Sequence, residues 1–118
     1  MTSNRQWLGR YGEDRACDYL SKLGYQIVER NARSRDGELD IVATDGSTLV
    51  FVEVKTRSSR FSGHPFQAIT PLKVARIRRL AAGWCASRQL PNSQVRFDAI
   101  SVLVQGGQVA IEHLRQVA

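Results

Sequence analysis

The stretch LVFVEVKTR, residues 49–57, restricts the possible fold more than any other part of the sequence. Because strand side chains alternate between two faces, the valines at positions 50, 52 and 54 share one face. Leu49 and Phe51 begin the other face, and Glu53 and Lys55 end it. A strand that is apolar on both faces is typical of the centre of a sheet covered on both sides. The two charged residues therefore form either a local ion pair at an exposed strand end or part of a cleft open to water.

The rest of the chain supplies the elements that such a sheet requires. Apolar spacing predicts a helix over about residues 5–23, and Thr70 with Pro71 predicts the start of a second helix that ends near Arg88. The predicted strands come from the segments YQIVERNAR, GELDIVATDGSTLVFVEVKT (a hairpin of two strands), QVRFDAISVLV and QVAIEHL. This order, α-β-β-β-α-β-β, predicts an α/β fold with one mixed sheet flanked by helices. A length of 118 residues predicts a single domain, 1–118.

The charge of the chain favours a polyanionic partner. Seventeen Lys and Arg residues stand against eleven Asp and Glu residues, a net charge of +6, and fourteen of the basic residues are arginine. Guanidinium groups pair with phosphate through two hydrogen bonds, so the charge suggests a polyanion such as a nucleic acid. No apolar run approaches the ~20 residues that span a bilayer, and the N-terminal residues lack the apolar stretch of a signal peptide. We therefore expect a cytoplasmic protein without membrane contact.

Asp40 lies on the other arm of the predicted hairpin, and its position relative to Glu53 depends on the turn. The first choice is a turn at Asp45 and Gly46, which places Asp40 diagonal to Glu53. A turn centred on Gly46 and Ser47 places Asp40 directly opposite Glu53. Both registers put the two acids on one face, with Cβ atoms roughly 5 Å apart when opposite and about 7 to 8 Å apart on the diagonal. A three-residue turn would move Asp40 to the other face.

Two carboxylates at that separation, Asp40 and Glu53, predict a metal site. Crowded carboxylates repel each other, and a protein relieves the repulsion by raising a pKa or by binding a cation. Carboxylate donors, without a Cys and His cluster, favour Mg²⁺ or Mn²⁺ over zinc. Such an ion, completed by water and a phosphate oxygen, suits cleavage of a phosphodiester bond. Lys55 could then orient the attacking water or stabilise the charge that develops on phosphorus.

Glu13 is a third acid that the predicted first helix turns inward. It shares the side of the helix that carries Ala16 and Leu20, which we expect to face the sheet. Two interpretations are open: Glu13 completes the metal site, or it forms a salt bridge with a nearby arginine. Glu38 lies on the same face as Asp40 and is an alternative ligand or a neighbour of one.

The segments that carry these acids are recognisable together. The hairpin GELDIVATDGSTLVFVEVKTR, preceded by ERNAR and by GRYGEDRACDYLSKLGY, resembles the YraN-like (UPF0102) family of small bacterial proteins. The resemblance extends from about Leu8 through RFDAISV. That family is similar to the PD-(D/E)XK nuclease superfamily and is close in organisation to archaeal Holliday junction resolvases.

The resemblance implies a restriction-endonuclease-like core. Asp40 then corresponds to the motif aspartate, and residues 53–55, EVK, correspond to the E-x-K element. Glu13 matches the helix-one glutamate of the resolvase-like branch. Leu39 stands where the motif has proline, which removes no ligand.

Together these observations predict a metal-dependent endonuclease that hydrolyses DNA, with branched or damaged structures as candidate substrates. The alternative is a non-catalytic nucleic-acid-binding module that retains the nuclease fold. A homodimer would suit cleavage of two strands. The predicted catalytic residues are Asp40, Glu53, Lys55 and Glu13, of which Glu13, Asp40 and Glu53 are the predicted metal ligands. The predicted nucleic-acid contacts are Arg33, Arg35, Arg57, Arg60 and Lys73.

Overall fold

The computed structural model describes residues 4–58, 66, 69–90 and 94–117, so the predicted DNA contact Arg60 lies outside the described residues. The predicted order α-β-β-β-α-β-β is confirmed. The elements are α1 (Asn4–Lys22), β1 (Gln26–Ser34), β2 (Gly37–Asp45), β3 (Thr48–Arg57), α2 (Pro71–Ser87), β4 (Val95–Gln105) and β5 (Gln108–Leu114). Within the described ranges, neither helix is long and apolar enough to cross a bilayer.

The five strands form one mixed sheet in the order β1-β2-β3-β4-β5, with β3 at its centre. Hairpins join β1 to β2 and β2 to β3, so these pairs are antiparallel. Strands β3 and β4 are parallel and are linked through α2, as a parallel pair requires a crossover connection. Strand β5 returns antiparallel to β4. The prediction that residues 49–57 form a central strand is therefore confirmed.

Each face of β3 packs against a different helix. Val50 and Val52 lie in the apolar layer beneath α1, together with Leu20. Phe51 lies in the layer beneath α2, where its ring meets Trp84 edge to face with centroids 5.7 Å apart. Burying these side chains on both faces is the main stabilising contribution to the sheet, at roughly 1.5 to 3 kcal/mol for each large apolar side chain. The two helices thereby hold β3 in a fixed position.

The hairpin between β2 and β3 turns one residue later than the first choice from the sequence. Asp45 pairs with Thr48, so the turn consists of Gly46 and Ser47. Gly46 has φ of 62°, a left-handed conformation that glycine adopts readily and that the first position of a type II′ turn requires. The turn predicted at Asp45 and Gly46 is therefore wrong, and the alternative centred on Gly46 and Ser47 is confirmed.

The start of α2 follows its sequence signal. The Oγ1 of Thr70 accepts a hydrogen bond from the main-chain N–H of Lys73 at 3.2 Å, and Pro71 occupies the first helical position. This cap sets where the first turn of α2 begins. It thereby positions Lys73 near the end of β3.

Asp98 is a buried carboxylate that the sequence did not single out. Arg96 Nε donates to Asp98 Oδ1 at 2.9 Å, and His113 Nε2 lies 2.7 Å from Oδ2. The hydroxyl of Tyr25 and the main-chain N–H of Gln116 also donate to the carboxylate. Burial alone raises the pKa of Asp98, but the hydrogen bonds with His113 and Arg96 outweigh burial and lower this pKa to about 2. The ionised group thus ties β5 and the residues after it to β4.

Gly12 allows α1 to approach β3 closely. A Cβ atom at this position would lie 1.9 Å from Thr56 Oγ1 and 2.5 Å from its Cγ2. Gly9, one turn earlier on the same helix, has open space around the corresponding position. The contact at Gly12 therefore sets the height of the neighbouring Glu13 above the sheet.

We expect Gly12→Ala to lower the free energy of unfolding by about 1 to 3 kcal/mol, because the added methyl group overpacks the contact with Thr56. Gly9→Ala is the matched control and should raise this free energy by roughly 0.5 to 1 kcal/mol, the usual gain for alanine in a helix. Urea unfolding followed by circular dichroism measures both. A stabilised Gly12→Ala protein would contradict the close approach of α1 to β3.

Candidate active site

Asp40 and Glu53 lie where the pairing of β2 with β3 ends. The last pair of the antiparallel ladder is Ile41 and Val52, and Asp40 and Glu53 are the next residues on the two strands. Beyond this pair, Asp40 Oδ2 accepts a hydrogen bond from the main-chain N–H of Val54 at 2.8 Å. The carboxylate thus takes the place of a main-chain acceptor. The end of the ladder opens a cleft that has an acid on each strand.

The carboxyl group of Asp40 has a strongly perturbed proton affinity. Its pKa is raised from 3.8 to about 7, first by burial and then by the negative charge of Glu53. The hydrogen bond from Val54 lowers the pKa, and the charges of Glu13 and Glu38 raise it further. Crowding of several acids around a buried carboxyl is typical of functional sites, because a bound cation relieves it.

Positive charges lie close to Glu53. Burial raises the pKa of this side chain. The charges of Lys73, Arg76 and Lys55 lower it. Lys73 and Arg76 are three positions apart on α2 and so lie on the same side of the helix. An anionic group next to Glu53 would therefore meet cations from both a strand and a helix.

Glu13 faces the sheet, as the helical pattern predicted, and its side chain is only 14% exposed. Its Oε1 accepts hydrogen bonds from Asn31 Nδ2 at 2.9 Å and from Arg30 at 3.3 Å. The salt-bridge interpretation is therefore confirmed. Asn31 lies on β1 between the residues that pair with Ile41 and Leu39, and has φ of 54°, a left-handed conformation that asparagine tolerates better than most residues. The charge of Glu13 nevertheless contributes to the raised pKa of Asp40.

The donor set at the cleft fits a hard divalent cation. Within residues 4–58, 66, 69–90 and 94–117, no three His, Cys, Asp or Glu side chains form a ready metal cluster. Magnesium, however, is commonly held by one or two carboxylates and completed by water and phosphate oxygens. Asp40 and Glu53 supply two such carboxylates, with oxygen as the only donor element, which suits Mg²⁺ or Mn²⁺.

Open space borders the acidic pair on both sides of the sheet. On the α1 side, a cleft of about 330 Å³ is lined by Glu13, Asp40 and Lys55, among others. On the α2 side, a cavity of about 30 Å³ is lined by Glu53, Lys55 and Lys73, among others. Lys55 borders both spaces. Lys55 is thus close to a ligand that enters from either face.

The predicted nucleic-acid contacts occupy different positions around the cleft. Lys73 lies beside Glu53, as described above. Arg33 and Arg35 lie at the β1–β2 hairpin, where Arg33 Nε donates to Glu38 Oε2 at 3.0 Å and the Arg33 side chain is 84% exposed. Arg57 is half-buried at the end of β3. The described arginines therefore surround the acidic pair without converging on one point.

Two residues of the site were not predicted from the sequence. Arg76 could have been found from its spacing, because it lies three positions after Lys73 on one helix. Asn31 gave no such signal, since its contact with Glu13 depends on a left-handed backbone within β1. The resulting site belongs to an α/β protein with paired acids and clustered cations at the end of its central strand.

Comparison with known sequences shows the family of this chain. The model of "Uncharacterised protein family UPF0102" matches residues 12–102. A UPF0102 protein of Beutenbergia cavernae is 54% identical over 111 residues, which cover 93% of this chain and 94% of the relative. A UPF0102 protein of Pseudarthrobacter chlorophenolicus is 53% identical over 112 residues, with 94% and 85% covered. The chain therefore belongs to the UPF0102 family, which confirms the resemblance found in the motif segments.

We expect Asp40→Asn to stabilise the metal-free protein at pH 8 by on the order of 1 kcal/mol or more. The pKa of Asp40 is higher in the folded protein, about 7, than its ordinary value of 3.8. Its ionisation therefore destabilises the fold progressively as pH rises from about 4 to about 7 and fully above that range. Asparagine removes the charge and keeps an oxygen to accept the Val54 N–H.

Urea unfolding at pH 4 and pH 8 in the presence of EDTA measures this effect. The gain of Asp40→Asn over the wild type should be large at pH 8 and should shrink towards pH 4. Asp36→Asn, on the exposed β1–β2 turn, is the matched control and should change little at either pH. If the stability gain of Asp40→Asn over the wild type is no larger at pH 8 than at pH 4, the raised pKa of Asp40 is refuted.

Proposed function

We propose that this protein is a metal-dependent endonuclease that hydrolyses phosphodiester bonds in DNA. The observation that carries the proposal is that Asp40 and Glu53 lie just beyond the last pair of the β2–β3 ladder, where the charge of Glu53 helps to raise the pKa of Asp40. Lys55, Lys73 and Arg76 place positive charge around Glu53. Paired carboxylates for a cation, beside cations for a phosphate, form the combination that phosphodiester hydrolysis requires. Membership of the UPF0102 family supports the fold and is not itself an argument for the activity.

Each residue of the cleft has a distinct role in this proposal. Asp40 and Glu53 hold Mg²⁺ or Mn²⁺, and such an ion supplies Lewis-acid polarisation of the phosphate and lowers the pKa of a bound water. Lys55 orients the attacking water and donates hydrogen bonds to the phosphate oxygens on which charge develops. Lys73 and Arg76 bind the phosphate that approaches from the α2 side.

Glu13 contributes from the α1 side. Both of its described hydrogen bonds reach Oε1, from Asn31 and Arg30. Glu13 would then help to hold the cation through its other carboxylate oxygen. The two donors also hold the side chain in one orientation, which fixes its negative charge near Asp40.

The excess of positive charge supports DNA as the substrate. The net charge is +6, and the exposed arginines at the β1–β2 hairpin are positioned to contact phosphates next to the one that is cleaved. Branched DNA is the substrate that we propose, because the basic groups occupy several sides of the cleft. A two-fold dimer would supply a second site for the other strand.

The test is incubation of the purified protein with labelled single-stranded, duplex, flapped and four-way DNA in Mg²⁺, in Mn²⁺ and in EDTA. We expect cleavage that requires metal. Asp40→Asn and Glu53→Gln should each reduce the cleavage rate by roughly 100-fold or more, since each removes one of the three proposed cation ligands. Lys55→Ala should reduce it by about 100-fold through lost charge stabilisation.

Asp18→Asn, at an exposed position of α1, is the matched control for Asp40→Asn and should cleave at the wild-type rate. DNA affinity, measured in EDTA by fluorescence anisotropy, should stay within about twofold in Asp40→Asn, because it removes no phosphate contact. Cleavage that survives in Asp40→Asn would refute the mechanism. Binding of DNA without cleavage of any substrate in either metal would favour the non-catalytic binding module.

A further inference from the structure

A groove separates the β1–β2 hairpin from α2, on the opposite side of β2 from the α1 cleft. It has a volume of about 320 Å³, at the lower end of the roughly 300 to 1,000 Å³ typical of small-ligand pockets. Its walls carry Arg33 and Arg35 on the hairpin, Arg79 on α2 and Arg88 at the C-terminal cap of α2. We call this feature the arginine groove. Leu39, which precedes Asp40 on β2, also lines it, so the groove begins next to the acidic pair.

Two of the four arginines form no ion pair with another residue that the structure describes. Among the described residues, Arg35 and Arg79 form no ion pair, whereas Arg33 pairs with Glu38 and Arg88 pairs with Glu29. The acids that line the groove number two against its four arginines. An anion in the groove would therefore meet an excess of positive charge from two facing walls.

The floor of the groove is apolar. Trp84, Leu80 and Leu39 lie there and are each less than one-tenth exposed. Arg88 stacks over the Trp84 ring, 4.0 Å from its centroid, and fixes one edge of the floor. An apolar floor between basic walls matches a nucleotide unit, whose base is apolar on its faces and whose phosphate is anionic.

We propose that the arginine groove binds a single-stranded segment of nucleic acid next to the Asp40–Glu53 pair. The volume admits a single strand, while a duplex could touch only the rim. The apolar floor favours a nucleic acid over an acidic peptide, because a base can lie against it while its phosphate meets the guanidinium groups. The consequence for cleavage rests on the proposed function: substrates with a single-stranded arm beside the cleaved bond are cleaved faster than continuous duplex.

Binding in EDTA tests the groove separately from catalysis. The probe is a labelled oligothymidylate of about 12 nucleotides, within the roughly 4 to 16 nucleotides that compact single-strand-binding folds cover. The variants Arg35→Glu and Arg79→Glu are compared in the Asp40→Asn protein, which keeps the DNA intact. Each should weaken single-strand binding about fivefold or more and reduce the salt slope of log K by roughly 0.7, the value for one lost phosphate contact.

Lys22→Glu is the matched control, because it reverses one exposed charge at the far end of α1. It should change the affinity for the same probe by less than about twofold. The three variants should differ far less in their affinity for blunt duplex than in their affinity for the single strand. Arg79→Glu that binds the single strand as tightly as Lys22→Glu would overturn the proposal. Equal losses for duplex and single strand, or equal competition by polyglutamate, would overturn it as well.

A cleavage assay in the otherwise wild-type protein separates the two proposals. Arg79→Glu should slow cleavage of flapped DNA while leaving the rate on duplex within about twofold. If the wild type cleaves and groove variants do not alter single-strand binding, the groove assignment fails and the nuclease stands. If the groove variants lose single-strand binding and no substrate is cleaved, the groove stands and the proposed nuclease activity fails.

Discussion

The register between β2 and β3 is the constraint on which the rest of the site depends. A two-residue turn at Gly46 and Ser47 sets it, and packing of β3 against a helix on each face holds it. A slip of one residue would exchange the faces of the whole strand, which would expose apolar side chains and separate Asp40 from Glu53. The same hydrophobic burial that stabilises the fold therefore enforces the opposition of two like charges.

The cleft is a place where local interactions oppose the stability of the fold. Burial and like charge raise the pKa of Asp40 to about 7, and one hydrogen bond from Val54 offsets only part of this effect. Cations on α2 and on its own strand lower the pKa of Glu53. The remaining excess of negative charge lies at Asp40, between β3 and α1. A site that is costly when empty and favourable when a cation binds is expected where function, and not stability, has set the residues.

Much of this arrangement could be predicted from local sequence, because strand alternation and helix periodicity are local properties. They placed β3 at the centre of the sheet, turned Glu13 inward and predicted that Asp40 and Glu53 lie close together. The turn could not be chosen, since Asp45, Gly46 and Ser47 are all common turn residues and the choice depends on pairing along both strands. The partners of Glu13 and the facing walls of the arginine groove come from elements distant in sequence, so no local pattern indicates them.

The partners of Asp98 are widely spaced along the chain. Tyr25 lies 73 positions before it and Gln116 lies 18 positions after it. Burying Asp98 before His113 is in place would leave a charge without a main partner, at a cost of several kcal/mol. We therefore expect the local β2–β3 hairpin to form early and β4 to be buried late, when β5 docks. A chain that ends before β5 would then carry both acids of the cleft on a hairpin without its finished core.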